Sequence, residues 1–282
     1  MTPFPRHELN DFLDQILAED IGAGDATSNA VIPEDAELSA RMVARQPMIV
    51  AGLLLAEAIF THLDVRVWTE IVAVEGQQAE AGDVLIKVWG NARAILAAER
   101  AALNLIQHLS GIATLTRKYA DAIAGSQAQL LDTRKTTPLL RRFEKYATTQ
   151  GGAKNHRMGL WDAVLIKDNH IAIAGSVGAA VRAARGAVDD RGAELPIEVE
   201  CDTLDQATEA VAAGAGRLLL DNMSLDELSA AVELFTGKAV LEASGGVRLE
   251  TIAGIAATGV DYISVGRITQ SAPAVDIGLD YG

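Results

Sequence analysis

Cysteine is nearly missing from this chain. Cys201 stands alone among 282 residues, so no internal disulfide can form, and the sequence reads as the product of a reducing compartment, the cytoplasm. Aromatic residues are scarce at 4%, so Ala, Val, Leu and Ile must fill the core, as they do where helices cover a parallel sheet. Positive charge is short. Lys and Arg number 24 against 38 Asp and Glu, a net −14, which argues against a nucleic-acid or anionic-membrane binder. The longest uncharged stretch, 101–116, carries Asn104, Gln107, His108 and Ser110 and is too short and too polar to span a bilayer. Residues 1–14 show no apolar signal-peptide core. No Walker loop, G-x-G-x-x-G or Cys/His cluster occurs, which disfavours a nucleotide triphosphatase, a Rossmann dehydrogenase and a zinc site. What is abundant is aliphatic material: 49% of the chain is hydrophobic, enough for a sizeable core in two domains or one large barrel.

The first part of the chain is mixed. Apolar spacing predicts a helix over 8–19, a polar turn over 20–27, and strand-like runs over 37–50 and 65–74 with a helix between them. A small β segment follows over 76–90, turning at Ala81-Gly82-Asp83. Two helices are then expected, 92–109 and 113–124. From residue 129 the chain repeats a short apolar run, a polar tip and a helix. The runs are 129–132, 163–166, 197–201, 217–221, 239–243 and 260–265, with helices around 139–148, 176–187, 204–213, 225–235 and 249–257. Strands alternating with helices imply parallel βαβ units, and the polar tips favour an α/β barrel over an open sheet.

Those tips carry the chemistry. They read Asp132-Thr133-Arg134-Lys135, Lys167-Asp168-Asn169-His170, Glu200-Cys201-Asp202, Asp221-Asn222, Glu242-Ala243-Ser244-Gly245-Gly246 and Val265-Gly266-Arg267. In α/β barrels such tips converge on one mouth. Residues 132–170 hold eight Lys or Arg and four acids, a local +4, while the rest of the chain carries −18. A basic pocket in an acidic protein suits a small polyanion. Lys145, Arg142 and Lys154 read as a solvated helix face; Lys135 and Lys167, at strand tips, do not. The glycine loops after the last two strands suit phosphate, bound through exposed backbone N–H groups. Glu200 and Asp221, on neighbouring tips, are candidates for Mg²⁺, directly or through water, or for ribose hydroxyls. Cys201 reads as a packing residue, His170 as a residue that orients its tip, and Asp20 and Asp25 as turn and cap residues.

Several of these strings are recognisable together. Asp132-Thr133-Arg134-Lys135-Thr136-Thr137-Pro138, Glu144-Lys145-Tyr146-Ala147, Gly151-Gly152-Ala153-Lys154-Asn155-His156-Arg157 and Leu165-Ile166-Lys167-Asp168-Asn169-His170 closely resemble the quinolinate phosphoribosyltransferase family. So do Glu19-Asp20 with Gly24-Asp25, Glu99-Arg100, Leu109 to Thr114, Glu242 to Gly246, and Gly259 to Gly266, so the resemblance spans nearly the whole chain.

The resemblance implies an N-terminal α/β sandwich-like domain over 1–112, rejoined by the C-terminal segment 268–282, and an incomplete seven-stranded α/β barrel over 113–267. It implies a Mg²⁺-dependent pentosyltransferase of de novo NAD biosynthesis, in which quinolinate and phosphoribosyl pyrophosphate give nicotinate mononucleotide, pyrophosphate and CO₂. It also implies a homodimer or a hexamer of three dimers with shared active sites. By match, the two carboxylates of quinolinate meet Arg134, His156, Arg157 and Lys167, with Arg100 from a partner. Arginine forks orient carboxylates in a bidentate grip. The phosphoribosyl donor matches Lys135, Glu200, Asp221 and the glycine loops, so Thr133, Ser244, Gly245, Gly246, Val265, Gly266 and Arg267 join the expected site. Lys135, Lys167, Glu200 and Asp221 are its expected catalytic groups. One departure stands out: the family usually has Gly after Thr-Thr-Pro, and here it is Leu139. The rivals are a molybdate-locus paralogue, which tends to lose the Lys-Asp-Asn-His element kept here, and a non-decarboxylating nicotinate phosphoribosyltransferase, which needs only one cationic clamp. A non-catalytic binder of phosphoribosyl ligands is the third; intact Lys135, Lys167, Glu200 and Asp221 weaken it.

Overall fold

The computed structural model describes residues 5–190 and 195–282. The chain divides into two compact units. The first runs to Leu115 and includes Thr149–Gly151 and Ala272–Gly282. The second comprises Thr116–Thr148 and Gly152–Ser271.

The first unit opens with α1 (Arg6–Ile21) and α2 (Ala26–Val31). The Asp25 side chain caps α2 by accepting from the N–H groups of Thr27 and Ser28, both at 3.0 Å, which is the cap role expected for it. Strand β1 (Glu37–Ala44) is followed by β2 (Met48–Ile49), α3 (Leu53–Leu63), β3 (Trp68–Ile71), β4 (Gln78–Ala79) and β5 (Val84–Asn91). The predicted run over 37–50 is therefore two strands in different sheets, since β2 pairs with β4 in a sheet apart from β1.

Then comes α4 (Ala92–Ala122), one unbroken helix where two were expected. Gly111, in the gap between the two expected helices, is there for contact: a Cβ would stand 2.2 Å from the Pro273 carbonyl oxygen. Glycine costs helix propensity but admits that backbone.

The second unit holds β6 (Gln129–Leu131), α5 (Arg141–Gln150), β7 (Val164–Ile166), α6 (Asp168–Ala174) and α7 (Val177–Asp190). It continues with β8 (Ile197–Cys201), α8 (Leu204–Ala212), β9 (Arg217–Asp221), α9 (Leu225–Phe235), β10 (Val240–Ser244), α10 (Ile252–Ala257), β11 (Tyr262–Ser264) and α11 (Arg267–Gln270). The last strand, β12 (Ile277–Tyr281), returns to the first unit and pairs with β1. That antiparallel sheet runs β12-β1-β5-β3.

All six predicted apolar runs of the second unit are strands of one parallel sheet, ordered β6-β11-β10-β9-β8-β7. The last strand beside the first is the ordering of a barrel. Among the described residues this sheet has six strands rather than the seven expected, and beside β6 stands a lone bridge between Leu131 and Lys154. Its ladder stops because the next two residues turn to the side chain of Asp132: Asn155 Nδ2 and the His156 N–H donate to that carboxylate at 2.6 and 2.8 Å. Period-two alternation then sorts the strands. Val199, Cys201, Leu218, Leu220, Leu241, Ala243 and Ile263 are buried, in strands packed by α8, α9 and α10. Cys201 is thus a packing residue, and burial pushes its thiol up to about 12. Glu200, Asp221, Glu242 and Ser244, at the alternate positions, line a cavity.

Leu139 has φ +69° and is 88% exposed. A leucine in the left-handed region carries about 1–2 kcal/mol of strain, which glycine escapes at an unfolded-state cost of roughly 0.5–1 kcal/mol. Leu139→Gly is therefore expected to raise Tm by about 1–4 °C in a thermal unfolding scan.

Candidate active site

A cavity of about 840 Å³ opens within the second unit. It is lined by Thr133, Arg134, Lys135, His156, Arg157, Lys167, Glu200 and Asp221, and by Ser244, Gly245, Gly246, Val265, Gly266 and Arg267. Every expected site residue is there except Arg100, which lies exposed on α4 in the other unit.

The first group is built around Asp132, which is wholly buried at the end of β6. Its carboxylate pairs with the equally buried Lys145 ammonium of α5, and accepts from Thr148 Oγ1 at 3.0 Å as well as from Asn155 and His156. Lys145 is therefore not on a solvated face, as its charge suggested; the amphipathic turn of α5 points it inward to the one carboxylate that needs it. Burial pulls the Lys145 ammonium below its ordinary value, against the attraction of Asp132. Arg141 stitches the following loop, donating to Thr136 Oγ1 at 2.9 Å and to the carbonyls of Met158 and Arg134 at 3.2 and 3.3 Å. Thr269 Oγ1 donates to the Lys135 carbonyl at 2.7 Å, holding it from the opposite side.

Two guanidinium groups face the cavity from this frame. Arg157 Nη1 donates to the Ala163 carbonyl at 3.1 Å. Burial, and next the neighbouring Arg134 charge, hold Arg157 below its ordinary value. Arg134 Nε is buried without a hydrogen-bond partner among the described residues. Two like charges side by side, one with an unused buried donor, are unfavourable until an anion joins them.

At the Lys167 tip, Asp168, Asn169 and His170 are the first turn of α6. His170 Nδ1 accepts the Lys167 N–H at 2.9 Å, so it orients this tip, as read from sequence. The Lys167 ammonium pairs with the Glu200 carboxylate across the sheet. On the adjacent strand, Asp221 Oδ2 accepts from Asn222 Nδ2 at 2.6 Å. Asn222 itself has φ +56°, tolerable for Asn, and a Cβ on Gly245 would meet its Oδ1 at 2.3 Å. A Cβ on Gly266 would stand 2.8 Å from Lys135 Cδ, so glycine there lets the lysine stem lie across the loop.

Sequence reasoning overlooked Glu242 and Arg248 as lining residues. Glu242 was read as a strand tip, but it lies mid-strand and wholly buried. Below the cavity, Arg217 Nε donates to Glu198 Oε1 at 2.7 Å and Arg217 Nη2 to Glu242 Oε2 at 2.8 Å. His156 Nε2 stands 3.0 Å from Glu198 Oε2. The guanidinium also stacks 4.6 Å above the Tyr262 ring. Arg217 supplies the cation these acids need, so the cluster is an ion-pair network rather than a metal centre.

The chain matches the family profile of the quinolinate phosphoribosyltransferase C-terminal domain over residues 112–280 and that of its N-terminal domain over 25–110. The chain belongs to the quinolinate phosphoribosyltransferase family. A Bacillus subtilis (strain 168) relative, named as a probable carboxylating nicotinate-nucleotide pyrophosphorylase, is 42% identical over 273 residues, covering 97% of this chain and 93% of its own. A Mycobacterium leprae (strain TN) relative, named as the carboxylating nicotinate-nucleotide pyrophosphorylase, is 42% identical over 278 residues, covering 96% of each. The solved nicotinate-nucleotide pyrophosphorylase of Francisella tularensis superposes with a TM-score of 0.94 at 39% identity, over 99% of this chain and 98% of that one. In this phosphoribosyltransferase frame, Glu200 Oε1 and Asp221 Oδ1 are the oxygens of the cavity carboxylates that the ion pair and the Asn222 bond leave over. Oxygen donors of this kind fit Mg²⁺, which usually takes one or two carboxylates and completes its shell with water and phosphate.

Proposed function

We propose that this chain transfers phosphoribosyl from phosphoribosyl pyrophosphate to quinolinate with decarboxylation, releasing nicotinate mononucleotide, pyrophosphate and CO₂. One observation carries the reading: Arg134 and Arg157 line the same cavity, near enough for the Arg134 charge to lower Arg157, and the Arg134 Nε donor has no partner among the described residues, which suits a substrate with two carboxylates rather than one. The two forks and Lys167 bind and orient the ring so that its nitrogen faces the ribose carbon. Lys135 and the glycine loops take the donor's phosphates, and Glu200 and Asp221 lie where positive charge develops on the ribose as the leaving group departs. Mg²⁺, held by Glu200 and Asp221 with the donor's own oxygens, would stabilise the departing pyrophosphate. A cytoplasmic location, expected from the single unpaired thiol, belongs to the same proposal.

The test is one assay with two arms. Ring-carboxyl-labelled quinolinate and nicotinate are each supplied with phosphoribosyl pyrophosphate and Mg²⁺. Labelled CO₂ and nicotinate mononucleotide from quinolinate alone are the expected result; product from nicotinate alone rejects the reading.

The proposal includes a homo-oligomer, a dimer or three dimers, in which Arg100 completes the site of a partner. Arg100→Ala and Lys135→Ala should each be inactive, and mixed chains should recover up to about a quarter of the activity, because random pairing leaves one intact site in half of the dimers. Mixed dimers without any activity would count against a shared site.

A further inference from the structure

Decarboxylation leaves an electron pair on the ring carbon, and the product carries hydrogen there. A proton donor is therefore needed in the cavity, resting on the reaction proposed above. Most lining groups are poor candidates. The arginines do not give up protons. Lys167 is paired with Glu200. Both nitrogens of His156 are engaged: Nδ1 accepts the Arg157 N–H at 2.7 Å, and Nε2 faces Glu198. A backbone N–H can only donate, so Nδ1 carries no proton and Nε2 already has an acceptor.

Glu242 is different. It lines the cavity at its floor, wholly buried, with Oε2 bonded to Arg217 and Oε1 without a hydrogen-bond partner among the described residues. Oε1 lies 3.6 Å from the His156 ring nitrogen, beside the groups that would grip the substrate ring. A buried, unpartnered carboxylate oxygen is costly when ionised. As a carboxylic acid it holds an O–H with no acceptor among the described residues, and a carbanion in the cavity is such an acceptor.

We infer that Glu242 is the acid that protonates the ring carbon vacated by CO₂. The step balances. The C–C bond to the departing carboxylate breaks, its electron pair stays on the ring carbon beside the cationic nitrogen, and CO₂ leaves. That pair takes the Glu242 proton, forming C–H and a Glu242 carboxylate, which regains a proton from solvent before the next turnover. The surroundings favour the acid form: burial first, and then the Glu198 charge, push Glu242 up to about 7, against the Arg217 guanidinium and with the His156 ring beside it. These three groups, from β8, the segment after the Leu131–Lys154 bridge, and β9, face it together with the Tyr262 ring of β11.

The test separates the two chemical steps. In single-turnover quench-flow, Glu242→Gln should form pyrophosphate at a near wild-type rate while nicotinate mononucleotide lags by about 100-fold or more. In the wild type, mononucleotide formation should fall as pH rises through about 7 while pyrophosphate release does not. A purely structural role would slow both products alike; equal slowing, or wild-type rates of both, overturns the assignment. Should Glu242→Gln fail to fold, the wild-type pH series decides alone, and a product ratio independent of pH overturns it. A wild-type protein that turns over no quinolinate at any pH overturns the underlying reaction, and this assignment with it.

Discussion

Lys145→Met is expected to destabilise the protein by about 3–5 kcal/mol in equilibrium denaturation, because it strands the buried Asp132 carboxylate without its counter-charge. The pair contributes little net stability by itself, since removing two ions from water offsets most of their attraction. The damage comes from breaking it on one side. Pairing Lys145→Met with Asp132→Asn should therefore recover a good part of the loss, because no buried charge then remains. Activity should not recover with stability. Asp132 also accepts from the backbone of His156 and the side chain of Asn155, and so positions Arg157 as well as its own neighbour Arg134. If both single variants unfold at the wild-type midpoint, the hub described here is wrong.

Arg134→Ala should do the opposite to stability and more to binding. Truncating one partner of a desolvated charge pair costs about 2–5 kcal/mol, so KM for quinolinate should rise by about 30-fold or more. The ligand-free protein should lose no stability, because the repulsion between Arg134 and Arg157 is relieved. Tm without ligand should hold or rise while the thermal shift produced by quinolinate disappears. Nicotinate, with one carboxylate, should be affected less. Equal losses for both acids would mean that Arg134 does not grip the second carboxylate.

Much of this was legible in the residues. The six short apolar runs are the six parallel strands, because a run of branched side chains bounded by polar tips has few other uses in a chain this poor in aromatics. The polar tips do meet at one cavity, since the parallel sheet delivers every strand end to the same side. His170 and Asp25 act locally, through partners two or three residues away, so their roles were open to a reading along the chain.

Other features rest on partners far away in sequence. Two helices were expected, 92–109 and 113–124, yet α4 runs through the gap, and the reason for Gly111 within it is the Pro273 backbone 162 positions later. Lys145 looked like a surface charge, yet it is buried against an acid on another element. Glu242 shares a string with the glycine loop after it, and only the strand register sets it at the cavity floor, beside Arg217 and Glu198.

The sequence by itself determined the family, the alternation of strands and helices, and the set of charges at the strand ends, because period-two and helical patterns and fixed motifs are local properties. The tertiary structure alone decided which of those charges are buried, which are paired and which are left with an unused hydrogen-bonding atom. Burial and pairing depend on what the opposite strand or helix presents, and that is set only when the sheet is assembled.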